Sequence, residues 1–167
     1  MRTLQTAALL ASAVGAALMA GLFTAFAYAV MPGLSRTGDR AFVQSMQHIN
    51  RAVINGWFLV PFLLPPPLLV LATALAAKGY SPGALPWIIA ALVLYAAAFL
   101  VTGTQNVPLN DTLDKVPPDT APDRLRDARA AFEGRWVRWN TVRAALHTAS
   151  LGVLRRALHL HAPPQVS

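Results

Sequence analysis

From Thr3 to Ser35 the chain carries no charged side chain, and nothing else in the sequence limits its fold so sharply. Within that run, Leu4 to Val30 is long enough to cross a bilayer as a helix, which takes roughly 20 apolar residues. A cleaved leader is the alternative, because Arg2 precedes the run and small residues alternate in Ala25-Phe26-Ala27-Tyr28-Ala29. A leader's apolar region is only about 7 to 15 residues long, however, and this one is longer. Ala13, Ala17, Gly21, Ala25 and Ala29 recur every fourth residue. Such a ridge lets a second helix come close where lipid supplies no hydrophobic drive, so a homo-oligomer through Ala13, Ala17, Gly21 and Ala25 is one expected contact.

Three further runs follow. Trp57 to Ala77 contains Pro61 and the triplet Pro65-Pro66-Pro67. Proline removes a backbone donor and presses on the preceding turn, so this span is predicted to kink or unwind against protein or water. Leu85 to Gly103 has Pro86 suited to a first turn and Trp87 placed as an interfacial anchor. The turn Lys78 to Gly83 before it makes the two spans an antiparallel hairpin. The last run is interrupted, because only eleven uncharged residues separate Arg143 from Arg155. They make about 16 Å of helix, too little for a hydrocarbon core of ~30 Å. The span must then start near Arg135 or Trp136 and end near Leu154, which leaves Arg143 inside the bilayer, where it has to pair, snorkel or face a bundle interior. Trp136, Asn140, Arg143, His147 and Leu154 share one helical face, and that face should point inwards.

Two polar connections complete the plan. From Gly38 to about Asn55, Phe42, Val43, Met46, Ile49 and Val53 form an apolar stripe opposite Gln44, Gln47, His48 and Arg51, and this helix is expected to run on into the second span. Between Thr104 and Gly134, Asp119 or Thr120 is suited to cap a helix with Pro122 just inside it and Leu125, Ala128 and Phe132 at helical spacing. The sequence therefore predicts one all-α membrane domain, a four-transmembrane-helix antiparallel bundle with spans at roughly 4–30, 52–77, 85–104 and 135–156. Arg36 to Arg51 and an extra-membrane helix from Asp123 to Glu133 would cap one end.

Fourteen Lys and Arg against seven Asp and Glu give a net charge of +7. In a soluble domain that would suggest nucleic acid; four apolar runs make the lipid bilayer the partner instead, with no nucleic acid. Arg2, Lys78, Arg155 and Arg156 share one side with no acid. A plain count favours the other side, but several of its arginines belong inside the fold, so both termini are assigned to the cytoplasmic face of a multi-pass plasma-membrane protein. There is no cysteine, and no Walker loop, dinucleotide fingerprint, HExxH or Gly-x-Ser-x-Gly elbow, so no cofactor is expected. Of the four histidines, His159 and His161 fall at the opposite membrane face from His48, and no metal site is expected.

Amides are the remaining signal. Gln47 and Asn50 are spaced i, i+3, Asn106 and Asn110 bracket a Val-Pro-Leu turn, and Asn140 precedes Arg143. Amides at membrane edges serve either as caps and inter-helix glue or as the wall of a polar pocket. The set Met46-Gln47-His48-Ile49-Asn50, Asn106-Val107-Pro108-Leu109-Asn110 and Trp136-Val137-Arg138-Trp139-Asn140 with Arg143 resembles the anthrone oxygenase family in order and spacing over almost the whole chain. That resemblance implies a four-helix membrane protein and, for the fungal enzymes that give the family its name, oxidation of anthrones to anthraquinones by O₂ without an evident cofactor.

The chemistry asks for a base, donors for an oxyanion and an apolar slot. Under the resemblance, His48 or His147 would serve as base. Arg143, Asn140, Asn110 and Asn50, with Gln47 and Asn106 nearby, would hold phenolate oxygens, while Trp57, Trp136 and Trp139 would line the slot for a hydrophobic aromatic molecule. Arg143 has a structural alternative, an ion pair with Asp111 or Asp114. Other functions fit the same residues: a membrane cyclase or isomerase, or a non-catalytic assembly partner or exporter. A proton-coupled exporter is disfavoured because no span holds Asp or Glu.

Overall fold

A computed structural model describes residues 1–161, which form five long helical stretches with no strand among them. We number them α1 (Arg2–Ser35), α2 (Asp39–Ala52), α3 (Gly56–Tyr80), α4 (Pro82–Asp114) and α5 (Pro122–His161). α1, α3 and α4 are long and apolar enough to cross a membrane, which makes this an integral membrane protein. α5 is not among them, yet its second half runs antiparallel along α1. Asn140 Nδ2 donates to the Phe23 carbonyl at one end (2.8 Å), and Thr6 Oγ1 meets His161 Nε2 at the other (2.8 Å).

Prolines shape the spans. α1 and α4 each contain one widened, π-type turn, Phe26–Val30 and Thr102–Asn106. These lie just before Pro32 and Pro108, whose rings would otherwise press on the carbonyls four residues back, at Tyr28 and Thr104. In α3 the helix is interrupted at Leu64, and Pro65 starts a new helical segment. The Pro61 and Phe62 carbonyls would normally accept from residues 65 and 66, which are prolines and have no N–H. The Tyr95 hydroxyl donates to those two carbonyls instead, at 2.8 and 3.2 Å. Gly15 of α1 lets the break nest. A Cβ there would stand 2.5 Å from Pro65 Cγ and 2.9 Å from the Pro61 oxygen. The α3–α4 hairpin turns at Gly79, whose φ of 90° favours glycine.

Packing divides into two zones. Between the spans, Leu9, Ala16, Leu69, Ala72, Ile88, Tyr95 and Leu154 form a buried apolar core. Beyond them, α2 lies against the first third of α5 over Phe42, Met46, Leu113, Leu125, Phe132 and Trp136. Arg129 fastens this cap. Its guanidinium sits over the Phe42 ring, donates to the Ser35 and Thr37 carbonyls, and pairs with Asp39 and Glu133. The Glu133 bond holds its pKa above the ordinary arginine value, so the clamp stays charged.

Several sequence expectations change. The helix from Asp123 to Glu133 is not separate, for α5 is continuous from Pro122, and Leu125 N–H donates to the Ala121 carbonyl, so neither Asp119 nor Thr120 holds the cap position. α2 does not run into α3. The chain breaks at Ile54, and Asn55 Oδ1 caps α3 by accepting from the Trp57 and Phe58 amides. Within the bundle α1 is closely approached at Gly15, while Ala17, Gly21 and Ala29 of the four-residue ridge face outwards, the side on which the expected contact with a second copy would form.

Candidate functional site

Where α2 and the first half of α5 close the end of the bundle, a cavity opens between α1, α3, α4 and α5. Its walls are Leu22, Phe23 and Phe26 of α1, Ile49 and Asn50 of α2, Val53 and Ile54, Phe58 of α3, Thr102, Val107 and Asn110 of α4, and Trp136 and Arg143 of α5. It holds about 590 Å³ of empty space with its mouth counted, and its walls are mostly apolar side chains. Ile54 and Val107 are both exposed at its rim.

Arg143 defines the electrostatics. It is only 5% exposed, and its guanidinium lies over the Phe23 ring (4.1 Å to the centroid) and beside Trp136 (5.5 Å). Nη2 donates to Asn140 Oδ1 at 3.1 Å, whereas Nε has no partner. Among the described residues no carboxylate lies within ion-pair distance of it. The expected pairing with Asp111 or Asp114 is absent, because Asp114 pairs with Arg51 of α2 at 2.7 Å. A buried charge without a counter-charge carries a desolvation penalty that an anionic ligand would relieve.

The amides separate into two groups. Asn50 and Asn110 line the slot: Asn50 Nδ2 is buried without a partner, and Asn110 Oδ1 accepts from Trp136 Nε1 at 2.8 Å, fixing the indole edge. The side-chain NH₂ groups of Asn140, Asn106 and Gln47 are spent on the backbone. Asn140 holds the Phe23 carbonyl, Asn106 Nδ2 donates to the Trp136 carbonyl at 3.2 Å, and Gln47 Nε2 donates to the Leu113 and Val116 carbonyls at the end of α4. Gln47, placed on the polar side of its helix by the sequence pattern, is therefore buried, because the C-terminal carbonyls of α4 need donors.

The aromatic and histidine expectations are rearranged. Trp57 is 94% exposed and outside the slot, and Phe58 takes its place, since the Asn55 cap sets the start of α3 and turns the next residue inwards. Trp139 is half-buried and also lies outside the slot. His48 is exposed on α2 away from the cavity. His147 lies one turn beyond Arg143, fully buried against Tyr95 (4.6 Å between centroids) and Phe23 (5.4 Å), with neither ring nitrogen bonded. Neither histidine lines the slot, so neither is placed to take a proton from a molecule within it. Among the described lining residues Arg143 alone is ionisable. Phe23, Phe26 and Phe58 are site residues the sequence pattern missed, for nothing in the α1 run sets these phenylalanines apart from other apolar side chains. Among the described residues no three His, Asp or Glu side chains gather around one point that could hold an ion.

An apolar slot between membrane helices with one uncompensated guanidinium at its wall defines a class: an integral membrane protein with a buried cation set in the wall of an apolar cavity. The family model described as anthrone oxygenase matches residues 57–153, more than half of the chain, and the chain belongs to that family. The matched region takes in Asn106 to Asn110, Trp136 to Asn140 and Arg143, but stops short of α2 with Met46 to Asn50. No curated protein and no solved structure matches the chain.

Proposed function

We propose that the protein is a four-crossing membrane oxygenase that binds an anthrone-like polycyclic phenol as its conjugate base and presents it to O₂. The observation that carries this reading is Arg143, buried without a carboxylate between the faces of Phe23 and Trp136. A fourth crossing is part of this reading, and α5 lying antiparallel to α1 from Phe23 down to Thr6 supports it. The acid-free end at Arg2, Lys78, Arg155 and Arg156 is then assigned to the cytoplasm of a plasma-membrane protein.

The chemistry needs little from the protein. Loss of a proton from the CH₂ between two aryl rings gives an enolate, whose oxygen Arg143 and the Asn50 amide hold while Trp136 and the phenylalanines pack its rings. No lining side chain is a base, so the proton leaves to water at the mouth. The carbanion reduces O₂; one oxygen atom becomes the new carbonyl and the other leaves as water with the two hydrogens of the CH₂. Purified protein offered an anthrone under air should form quinone faster than the uncatalysed rate, with and without chelator, and Arg143→Met should lose the excess. Quinone formation at the uncatalysed rate across several anthrones would overturn the reading in favour of a non-catalytic assembly partner.

A further inference from the structure

At the end of the bundle remote from the slot, α1 and α5 leave an open groove of about 1030 Å³, counting its free side, lined by Arg2, Thr3, Thr6, Ala7, Leu10, Leu158 and His161. Its composition is graded. Arg2, Thr3, Thr6 and His161 make a polar, basic end. Ala7, Leu10 and Leu158 continue it as an apolar wall, which along α1 reaches about 12 Å from Arg2 to Leu10 at ~1.5 Å per residue. The polar end is organised: Arg2 Nε donates to the Tyr80 carbonyl at 3.1 Å, which steers its side chain across the helix end, and Thr6 Oγ1 engages both the Arg2 carbonyl and His161 Nε2. His161 is buried (6% exposed), which holds its ring fixed at the groove wall. The charge pattern of the whole chain agrees. All seven acidic residues lie between Asp39 and Glu133, in the segments at the opposite end, while this end adds Lys78, Arg155, Arg156 and His159 to Arg2.

A cationic, hydroxyl-bearing end that grades into an aliphatic wall, at the level where a spanning helix leaves the bilayer, matches an amphiphile with an anionic head and a hydrocarbon tail. We propose that this groove is a binding site for an anionic phospholipid, its phosphate at Arg2 and Thr3 and the start of one acyl chain against Ala7, Leu10 and Leu158. A single basic residue at a membrane surface contributes about 1 kcal/mol to attraction of acidic lipid, roughly fivefold in affinity. The wall supplies what a free phosphate would lack.

The test uses the full-length protein in neutral detergent, stripped of lipid and titrated with dioleoyl phosphatidylglycerol, dioleoyl phosphatidylcholine or inorganic phosphate, with binding read by native mass spectrometry and by melting temperature. Phosphatidylglycerol should bind and raise the melting temperature, phosphatidylcholine should bind at least about fivefold more weakly, and inorganic phosphate should not displace the lipid. Arg2→Gln should erase most of that preference, Arg2→Lys should retain it, and Arg36→Gln at the other end should leave it unchanged. Circular dichroism of each variant separates a lost site from a lost fold. Equal binding of the two lipids, or full preference in both Arg2→Gln and Thr6→Val, overturns the proposal; displacement by inorganic phosphate assigns the site to a soluble phosphate and overturns the lipid.

Discussion

The Tyr95 hydroxyl donates to the Pro61 carbonyl at 2.8 Å and so repairs, from another helix, a hydrogen bond that Pro65 cannot make. The same oxygen reaches the Phe62 carbonyl, orphaned by Pro66, and the edge of the same ring packs on His147. One side chain therefore joins the break in α3 to the inner face of α5.

Tyr95→Phe should be destabilising although it removes a single oxygen. The buried Phe62 carbonyl and the part-buried Pro61 carbonyl would lose their donor where proline leaves no backbone N–H to replace it, at a cost of about 1–3 kcal/mol. Thermal unfolding in detergent is the measurement. Tyr28→Phe, at an exposed position, should leave the melting temperature where it is.

Gly15→Ala should weaken the α1–α3 contact, because its methyl group meets both the Pro65 ring and the Pro61 backbone oxygen, and a carbonyl already held by Tyr95 has little room to give. Overpacking of this kind costs about 1–3 kcal/mol. Gly21→Ala, with nothing within 4 Å of its new methyl, should be neutral or slightly stabilising by helix propensity. Equal effects of the two changes on chemical denaturation would contradict the close approach at Gly15.

Arg143→Met keeps the volume of the side chain and removes a buried charge that no carboxylate balances. The melting temperature should stay level or rise, since replacing buried charge by an apolar group of similar size is often neutral or stabilising. Affinity for a hydroxylated anthrone, followed by quenching of the intrinsic tryptophan fluorescence, should fall about tenfold to hundredfold, the range for hydrogen bonds to charged groups. A variant that binds as tightly as the parent would separate Arg143 from ligand recognition.

His161 gives the fold a pH dependence. Burial, followed by the Arg2 charge, holds its pKa below the ordinary histidine value, so on acidification the unfolded chain takes up the proton first. Its contribution is thus complete above the unfolded pKa near 6.5 and is lost progressively as pH falls below it. Melting temperature measured between about pH 7.5 and pH 5 should decline, and His161→Gln should flatten that decline. An unchanged slope in the variant would place the acid sensitivity elsewhere.

The sequence by itself determined the spanning helices, the hairpin at Gly79, the amphipathic α2 and the inward direction of Trp136, Asn140 and Arg143, because bilayer thickness and the helical repeat act on local patterns of apolar and charged residues. It also carried the family resemblance. Tertiary structure alone decided what each polar group does. Gln47, Asn106 and Asn140 bind carbonyls that long-range packing leaves without donors, Asp114 goes to Arg51 and leaves Arg143 unbalanced, and the Asn55 cap turns Phe58 rather than Trp57 into the slot. A hydrogen-bond partner on another helix has no signature in local sequence, because it depends on the rotation and register of both helices, which only their packing sets.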